Sequence, residues 1–144
     1  MFNLLIFLHV ASALLLGCYL LLPFLINRLT TATGQALESC IGLLLILTRA
    51  SHVALIVLLL TGGGMISQLG TMPSLLWISL ALVLLVIIGG VIGMISKRLK
   101  QLRAAAKEDQ LKAKHIEKMK IYSWVAALAV IVAILIMTNP NLLS

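Results

Sequence analysis

The stretch Lys97–Lys120, "KRLKQLRAAAKEDQLKAKHIEKMK", determines the topology that we predict for this chain. It contains nine of the eleven Lys and Arg residues and separates two long apolar runs. Ala, Leu, Lys and Glu fill most of it, and these residues are strong helix formers. We therefore predict that the apolar helices on either side continue into it as a charged helical hairpin, which turns near Glu108 to Gln110.

The composition of the whole chain indicates a membrane protein. Hydrophobic residues make up 62% of the 144 residues and charged residues only 10%, whereas about 25% of a soluble domain is charged. A helix needs about 20 apolar residues to cross a bilayer, and four runs are long enough. We predict an all-α, integral membrane four-helix bundle that forms one transmembrane domain over residues 1–144, with helices at about 2–26, 38–66, 74–106 and 111–138.

The distribution of Lys and Arg predicts the orientation in the membrane. Loops rich in these residues stay on the cytoplasmic side, which places the charged hairpin in the cytoplasm and both termini outside. Trp77, Tyr122 and Trp124 then fall near the membrane surfaces, where aromatic residues are enriched. A basic segment beside the bilayer suits anionic lipid headgroups, so the lipid bilayer is the expected partner and no nucleic acid is expected.

Three basic residues lie inside the apolar runs: His9 in the first, and Arg49 and His52 in the second. A charged Arg in the middle of a membrane helix costs about 2.5–3.5 kcal/mol, and no carboxylate lies within any of the four runs to pair with Arg49. Neutral imidazole, in contrast, is tolerated more easily and is a common metal ligand. These residues are therefore the candidates for a function.

The depth of the two histidines favours a shared cofactor. At about 1.5 Å per residue, His9 lies about 10 Å and His52 about 15 Å below the same membrane surface. Because adjacent helices lie about 8–10 Å apart, we predict that both imidazoles ligate the iron of heme b, or of another porphyrin, between the first two helices. Arg49, one turn away, would pair with a propionate, and Ser12 and Tyr19, which follow His9 on the same helix face, would contact the cofactor.

The position of the second helix along the membrane normal decides whether His52 can pair with His9. If that helix enters the membrane near Ile46, Arg49 and His52 become shallow interfacial residues and the pairing with His9 fails. Arg49 would then extend its guanidinium to the headgroups. A histidine near a helix end is also often a structural residue that bonds a backbone carbonyl, so both interpretations stay open.

The third run contains two glycines at a spacing typical of helix contacts. Gly89 and Gly93 form a GxxxG pair, with Gly90 beside it, and small residues at this spacing let another membrane helix approach closely. The neighbour is either a helix of the same chain or one of a second copy, and an oligomer formed through this surface is therefore one of the predicted partners.

Three stretches together resemble small bacterial membrane proteins of the CopD-like type: "LLIFLHVASALLLG", "LLLTGGGMI" and "WISLALVLLVIIGGVIGMISKRLKQLRAA". Their layout is similar to that of the membrane-embedded HemJ protoporphyrinogen oxidase family. The resemblance implies a compact helical bundle in the bacterial inner membrane, with His9 at the position of a first-helix histidine associated with heme. The oxidase pattern also has a lysine shortly after a tryptophan in the third helix, where this chain has Ser79.

Three functions follow from these observations. The first is electron transfer by bis-histidine heme b, with a membrane quinone or a respiratory membrane protein as partner, because two axial ligands leave no open iron position. The second is a porphyrin-oxidising enzyme of the HemJ kind, against which the missing lysine counts. The third is a non-catalytic membrane assembly subunit that uses the Gly89 and Gly93 surface.

Overall fold

Four apolar helical spans make up the protein in a computed structural model that describes residues 2–68, 74–104 and 109–139, the side chains of 109–113 excepted. The spans are Phe2–Thr31, Gly34–Gln68, Leu75–Ala104 and Lys114–Thr138, and each is long and apolar enough to cross a membrane. The prediction of an all-α membrane four-helix bundle is confirmed. The predicted turn of the charged hairpin falls largely on residues 105–108, outside the described residues.

The first span is interrupted in its middle, and Pro23 explains the interruption. Helix α1 (Phe2–Gly17) passes through a 3₁₀ turn (Cys18–Leu21) into α2 (Leu22–Thr31). Proline has no N–H to donate to the carbonyl four residues earlier. The Tyr19 carbonyl instead accepts a hydrogen bond from the N–H of Leu22, which is the three-residue step of a 3₁₀ helix.

Helix α3 (Gly34–Gln68) is longer than the membrane requires. The three glycines Gly62–Gly64 lie inside α3, which continues to Gln68, two residues beyond the predicted end near residue 66. Helix α1 packs against this glycine segment. The Leu5 side chain lies 3.6 Å from the Cβ position of Gly64, and the His9 ring lies 3.4 Å from that of Gly62.

Gly34 gives the first testable prediction. It starts α3 with φ of +56°, a left-handed conformation that costs other residues roughly 1 kcal/mol or more. We expect Gly34→Ala to lower the free energy of unfolding by about 1 kcal/mol, measured by denaturant titration in detergent. Gly42→Ala is the matched control, since its Cβ meets nothing within 4 Å inside the same helix. Gly42→Ala should raise the free energy of unfolding by up to about 1 kcal/mol. Equal effects of the two variants would contradict the left-handed conformation of Gly34.

Helices α4 (Leu75–Ala104) and α5 (Asp109–Thr138) complete a ring of neighbours. Helix α3 packs between α1 and α4, α5 packs against α4, and α5 also packs against α2 and the 3₁₀ turn. We call the end that carries the Lys97–Lys120 stretch the charged end, and the other end, where Phe2 and Gln68 lie, the opposite end. The Trp77 indole N–H donates to the Ile136 carbonyl at 3.3 Å and fastens α4 to α5 near the opposite end.

The tightest packing lies in the half of the bundle toward the charged end. No α4 side chain between Leu75 and Ile87 is buried, and buried residues of that helix start at Ile88. The two halves of the bundle differ because their expected surroundings differ. Lipid tails give helices no hydrophobic driving force to associate, whereas water beyond the membrane does. The fully buried large apolar side chains are Tyr19, Leu22, Ile26, Leu29, Ile41, Ile92, Ile95, Leu99, Leu102 and Met119.

Candidate functional site

His9 forms the clearest polar contact between two membrane spans. Its Nδ1 lies 2.9 Å from the Thr61 hydroxyl oxygen. The Thr61 hydroxyl in turn donates to the Val57 carbonyl at 2.7 Å, a short bond that uses its only hydrogen. The hydroxyl must therefore accept from His9, which places the proton on Nδ1. In the neutral ring, Nε2 then keeps an unprotonated lone pair.

Small residues surround this imidazole on α3. The ring carbon Cε1 of His9 lies 3.4 Å from where a Cβ of Gly62 would stand. Thr61 is buried, whereas the His9 side chain is only half-buried. Sequence reasoning missed Thr61 as the partner of His9, and the available signal was a hydroxyl residue directly before three glycines in an otherwise apolar run.

His52 lies at another depth than His9, and the two rings are not brought together. Three contacts define how α1 and the turn after it run along α3: His9 meets Thr61, Leu5 meets Gly64, and the Tyr19 hydroxyl faces that of Ser51. His52 is nine residues before Thr61, which is about 13 Å closer to the charged end. The structure therefore separates the two imidazoles by more than the predicted depths imply, and bis-histidine ligation of a heme stays a prediction that this geometry does not support.

Contacts with α4 give the level of Arg49 and His52 along the bundle. The Leu55 side chain lies 3.5 Å from the Cβ position of Gly89. Because α3 and α4 are antiparallel, Arg49, six residues before Leu55, is level with Ile95, six residues after Gly89. Counting about 20 residues of hydrocarbon from Leu75 also reaches Ile95. The structure therefore favours the shallow register for α3.

Both residues are exposed on the outside of the bundle. The Nδ1 of His52 lies 2.7 Å from the carbonyl oxygen of Thr48, one turn earlier in the same helix. Arg49 has no acidic partner among the described side chains, where the one ion pair joins Arg103 to Glu38 at 3.6 Å. Arg49 and His52 thus form a polar pair that faces outward from the bundle and not into its interior.

Ser12 and Tyr19 lie where the sequence placed them, on the inner face of the first span, and both are buried. The Tyr19 side chain is 0% exposed, and its hydroxyl makes no hydrogen bond, although Ser51 lies beside it. The Ser51 hydroxyl donates instead to the Leu47 carbonyl at 2.9 Å. Tyr19 is level with Ser51, about 15 Å from the level of Thr61 and His9, so it does not contact the His9 imidazole.

Within the part of the chain that the structure describes, no group of three or more His, Cys, Asp or Glu side chains is placed to hold a metal ion. A bare metal site of that kind is therefore not present in these segments, and a histidine-held cofactor would have to bring its other ligands with it. No family model, curated protein or solved structure matches this chain.

Proposed function

We propose that this protein binds heme b, or another porphyrin, at the opposite end of the bundle, with His9 as the one axial ligand that the chain supplies. The observation that carries the proposal is the hydrogen bond of His9 Nδ1 with Thr61. Histidines that ligate metals almost always donate their other ring N–H to a fixed acceptor, which orients the ring and makes Nε2 more basic. Here Thr61 is that acceptor, and Val57 holds it in place.

The surroundings of His9 suit a flat apolar ring with two carboxylates. The α3 segment beside it carries three successive glycines, Gly62–Gly64, and α4, which packs on the same helix, has no buried side chain between Leu75 and Ile87. His9 is seven residues from Phe2, about 10 Å along the helix, so propionates directed toward the opposite end reach water. Arg49 is not needed for them, since it lies about 18 Å from the level of Thr61.

His9 would hold the iron, and the bound heme would supply one-electron redox chemistry. Electron exchange with a membrane quinone or with a respiratory membrane protein that docks at the opposite end is the function that we propose for this heme. The resemblance of the "LLIFLHVASALLLG" stretch to CopD-like and HemJ-like proteins supports a heme at His9. By the same resemblance and the Lys and Arg bias, we place the protein in the bacterial inner membrane with its charged end in the cytoplasm.

The proposal predicts different results for the two histidines. Protein expressed with a heme supply should show a Soret absorption band. The His9→Ala variant should lose this band, whereas the His52→Ala variant should keep it. Thr61→Val should weaken heme affinity by about 10- to 100-fold, because it removes the acceptor that orients the ring. Helicity by circular dichroism is the control for folding, and a folded wild-type protein without a Soret band would refute the proposal.

A second candidate, the non-catalytic assembly subunit, is favoured by the glycines of α4. Leu55 occupies the space over Gly89, at 3.5 Å, so that glycine serves packing within the chain. Gly90 and Gly93 have nothing within 4 Å of their Cβ positions and leave a surface for another helix. If assembly is the function, Gly93→Leu should disrupt a complex that His9→Ala leaves intact, as seen by size-exclusion chromatography in detergent. No contact favours the porphyrin-oxidising enzyme, whose lysine position is occupied by Ser79.

A further inference from the structure

We propose that Arg49 and His52 form a binding site for the headgroup of an anionic phospholipid that carries a hydroxyl group beyond its phosphate. Both side chains are exposed on the lipid-facing surface of α3, three residues apart and therefore on one helix face. This site lies at the other end of the membrane from His9 and is independent of the heme.

The first argument is the level of Arg49 and His52 along the bundle. Arg49 is level with Ile95 of α4, two residues before Lys97. Helices α4 and α5 are aligned by two contacts, Trp77 with Ile136 and Arg98 with His115 at 3.4 Å. This alignment brings further cations to the same band, which is about as thick as one headgroup layer. The charged residues in the band are Arg49, Lys97, Arg98, Glu117, Lys118 and Lys120.

The excess of cations in this band favours a negative partner. Five Lys and Arg side chains share the level with Glu117 as the one acid among the described residues. The exposed guanidinium of Arg49 forms no ion pair with any described carboxylate. A phosphate matches its donor geometry and charge, and the phosphates of lipid headgroups lie at this depth in every bilayer.

His52 adds a requirement for a hydrogen-bond donor on the headgroup. Its Nδ1 contacts the Thr48 carbonyl at 2.7 Å, and a carbonyl only accepts, so Nδ1 carries the proton. In the neutral ring, Nε2 is then an acceptor, and no described residue donates to it. The bond to Thr48, one turn closer to the charged end, also draws the ring toward Arg49. A lipid whose phosphate binds Arg49 and whose headgroup hydroxyl donates to His52 satisfies both groups.

Native mass spectrometry of the full chain from mixed micelles tests the site. We compare retention of phosphatidylglycerol, which has headgroup hydroxyls, with phosphatidic acid, which lacks them, and with zwitterionic phosphatidylcholine. The wild type should retain phosphatidylglycerol best. Arg49→Gln should lower its retention about fivefold or more, which is the effect of one interfacial cation. His52→Phe should remove the preference over phosphatidic acid while phosphatidic acid binding stays unchanged.

Lys100→Gln is the matched control, because it removes one exposed positive charge that lies five residues, or about 7 Å, beyond the level of Arg49. It should leave the preference for phosphatidylglycerol unchanged. The proposal is overturned if Lys100→Gln lowers retention as much as Arg49→Gln, since any surface cation would then suffice. It is also overturned if His52→Phe changes nothing, or if free glycerol phosphate at millimolar concentration displaces the lipid, since the site would then take a soluble anion.

Discussion

Replacing Leu99 with Ala is expected to lower the free energy of unfolding by about 2–5 kcal/mol, one of the two largest effects that we predict. Leu99 is 0% exposed and lies in α4 beyond Lys97, with Ile95 and Leu102 on the same buried face. This segment is outside the hydrocarbon by the level count given above, so its alternative in the unfolded state is water. The hydrophobic effect then contributes in full to the stability gained by burying this leucine.

The matched control is Met94→Ala in the same helix. Met94 is 52% exposed on the lipid side, where lipid tails replace the lost contacts, and surface substitutions usually change stability by less than about 0.5 kcal/mol. Titration with a denaturing detergent, followed by circular dichroism, measures both variants. If Leu99→Ala and Met94→Ala lost the same free energy of unfolding, the main packed core would not lie at the charged end.

The spans and the charged extensions could be predicted from the sequence because they depend on local composition. Runs of about 20 apolar residues have one stable solution in a bilayer, a helix, and Lys97–Lys120 continues that helix with good helix formers. The break at Cys18–Leu21 was also readable in principle, since Pro23 removes the donor on which the Tyr19 carbonyl depends. The prediction of one unbroken first helix gave too little weight to that residue.

The depth of His52 could not be predicted for a physical reason. Helix α3 has 35 residues, well over the roughly 20 that hydrocarbon requires, so composition allows it to slide by several turns. Contacts between distant residues fix its position: Leu55 against Gly89, and His9 against Thr61. Such contacts join residues far apart in the chain, and periodicity within one helix carries no information about them.

The candidate site was predicted in part for the same reason. His9 could be chosen because it is an ionisable residue in an apolar run, a property of the sequence alone. Its partner Thr61 could not, because serine and threonine hydroxyls are common in membrane helices and usually bond their own helix, as Thr48 does to Leu45 at 2.9 Å. Tyr19 was predicted as a ligand contact, yet its buried hydroxyl lies far from His9.

The second large effect is expected for Gly62→Leu. The Cβ position of Gly62 is 3.4 Å from the His9 ring, which is already close contact. Leucine adds three carbon atoms beyond this Cβ, so we expect that α1 moves away from α3 or that His9 leaves Thr61. Overpacking of this kind costs about 1–3 kcal/mol and occasionally more, and it adds the loss of the buried hydrogen bond.

Gly63→Leu separates this steric effect from a general effect of leucine in the glycine run. Gly63 is exposed, and nothing lies within 4 Å of its Cβ position, so leucine there should be tolerated and should improve helix propensity by up to about 1 kcal/mol. We expect Gly62→Leu to lower the unfolding midpoint and to reduce any Soret absorbance, while Gly63→Leu preserves both. Since the two variants differ by one helix position, equal behaviour would mean that α1 does not pack on α3 through His9 and Gly62, and the site built on that contact would have to be abandoned.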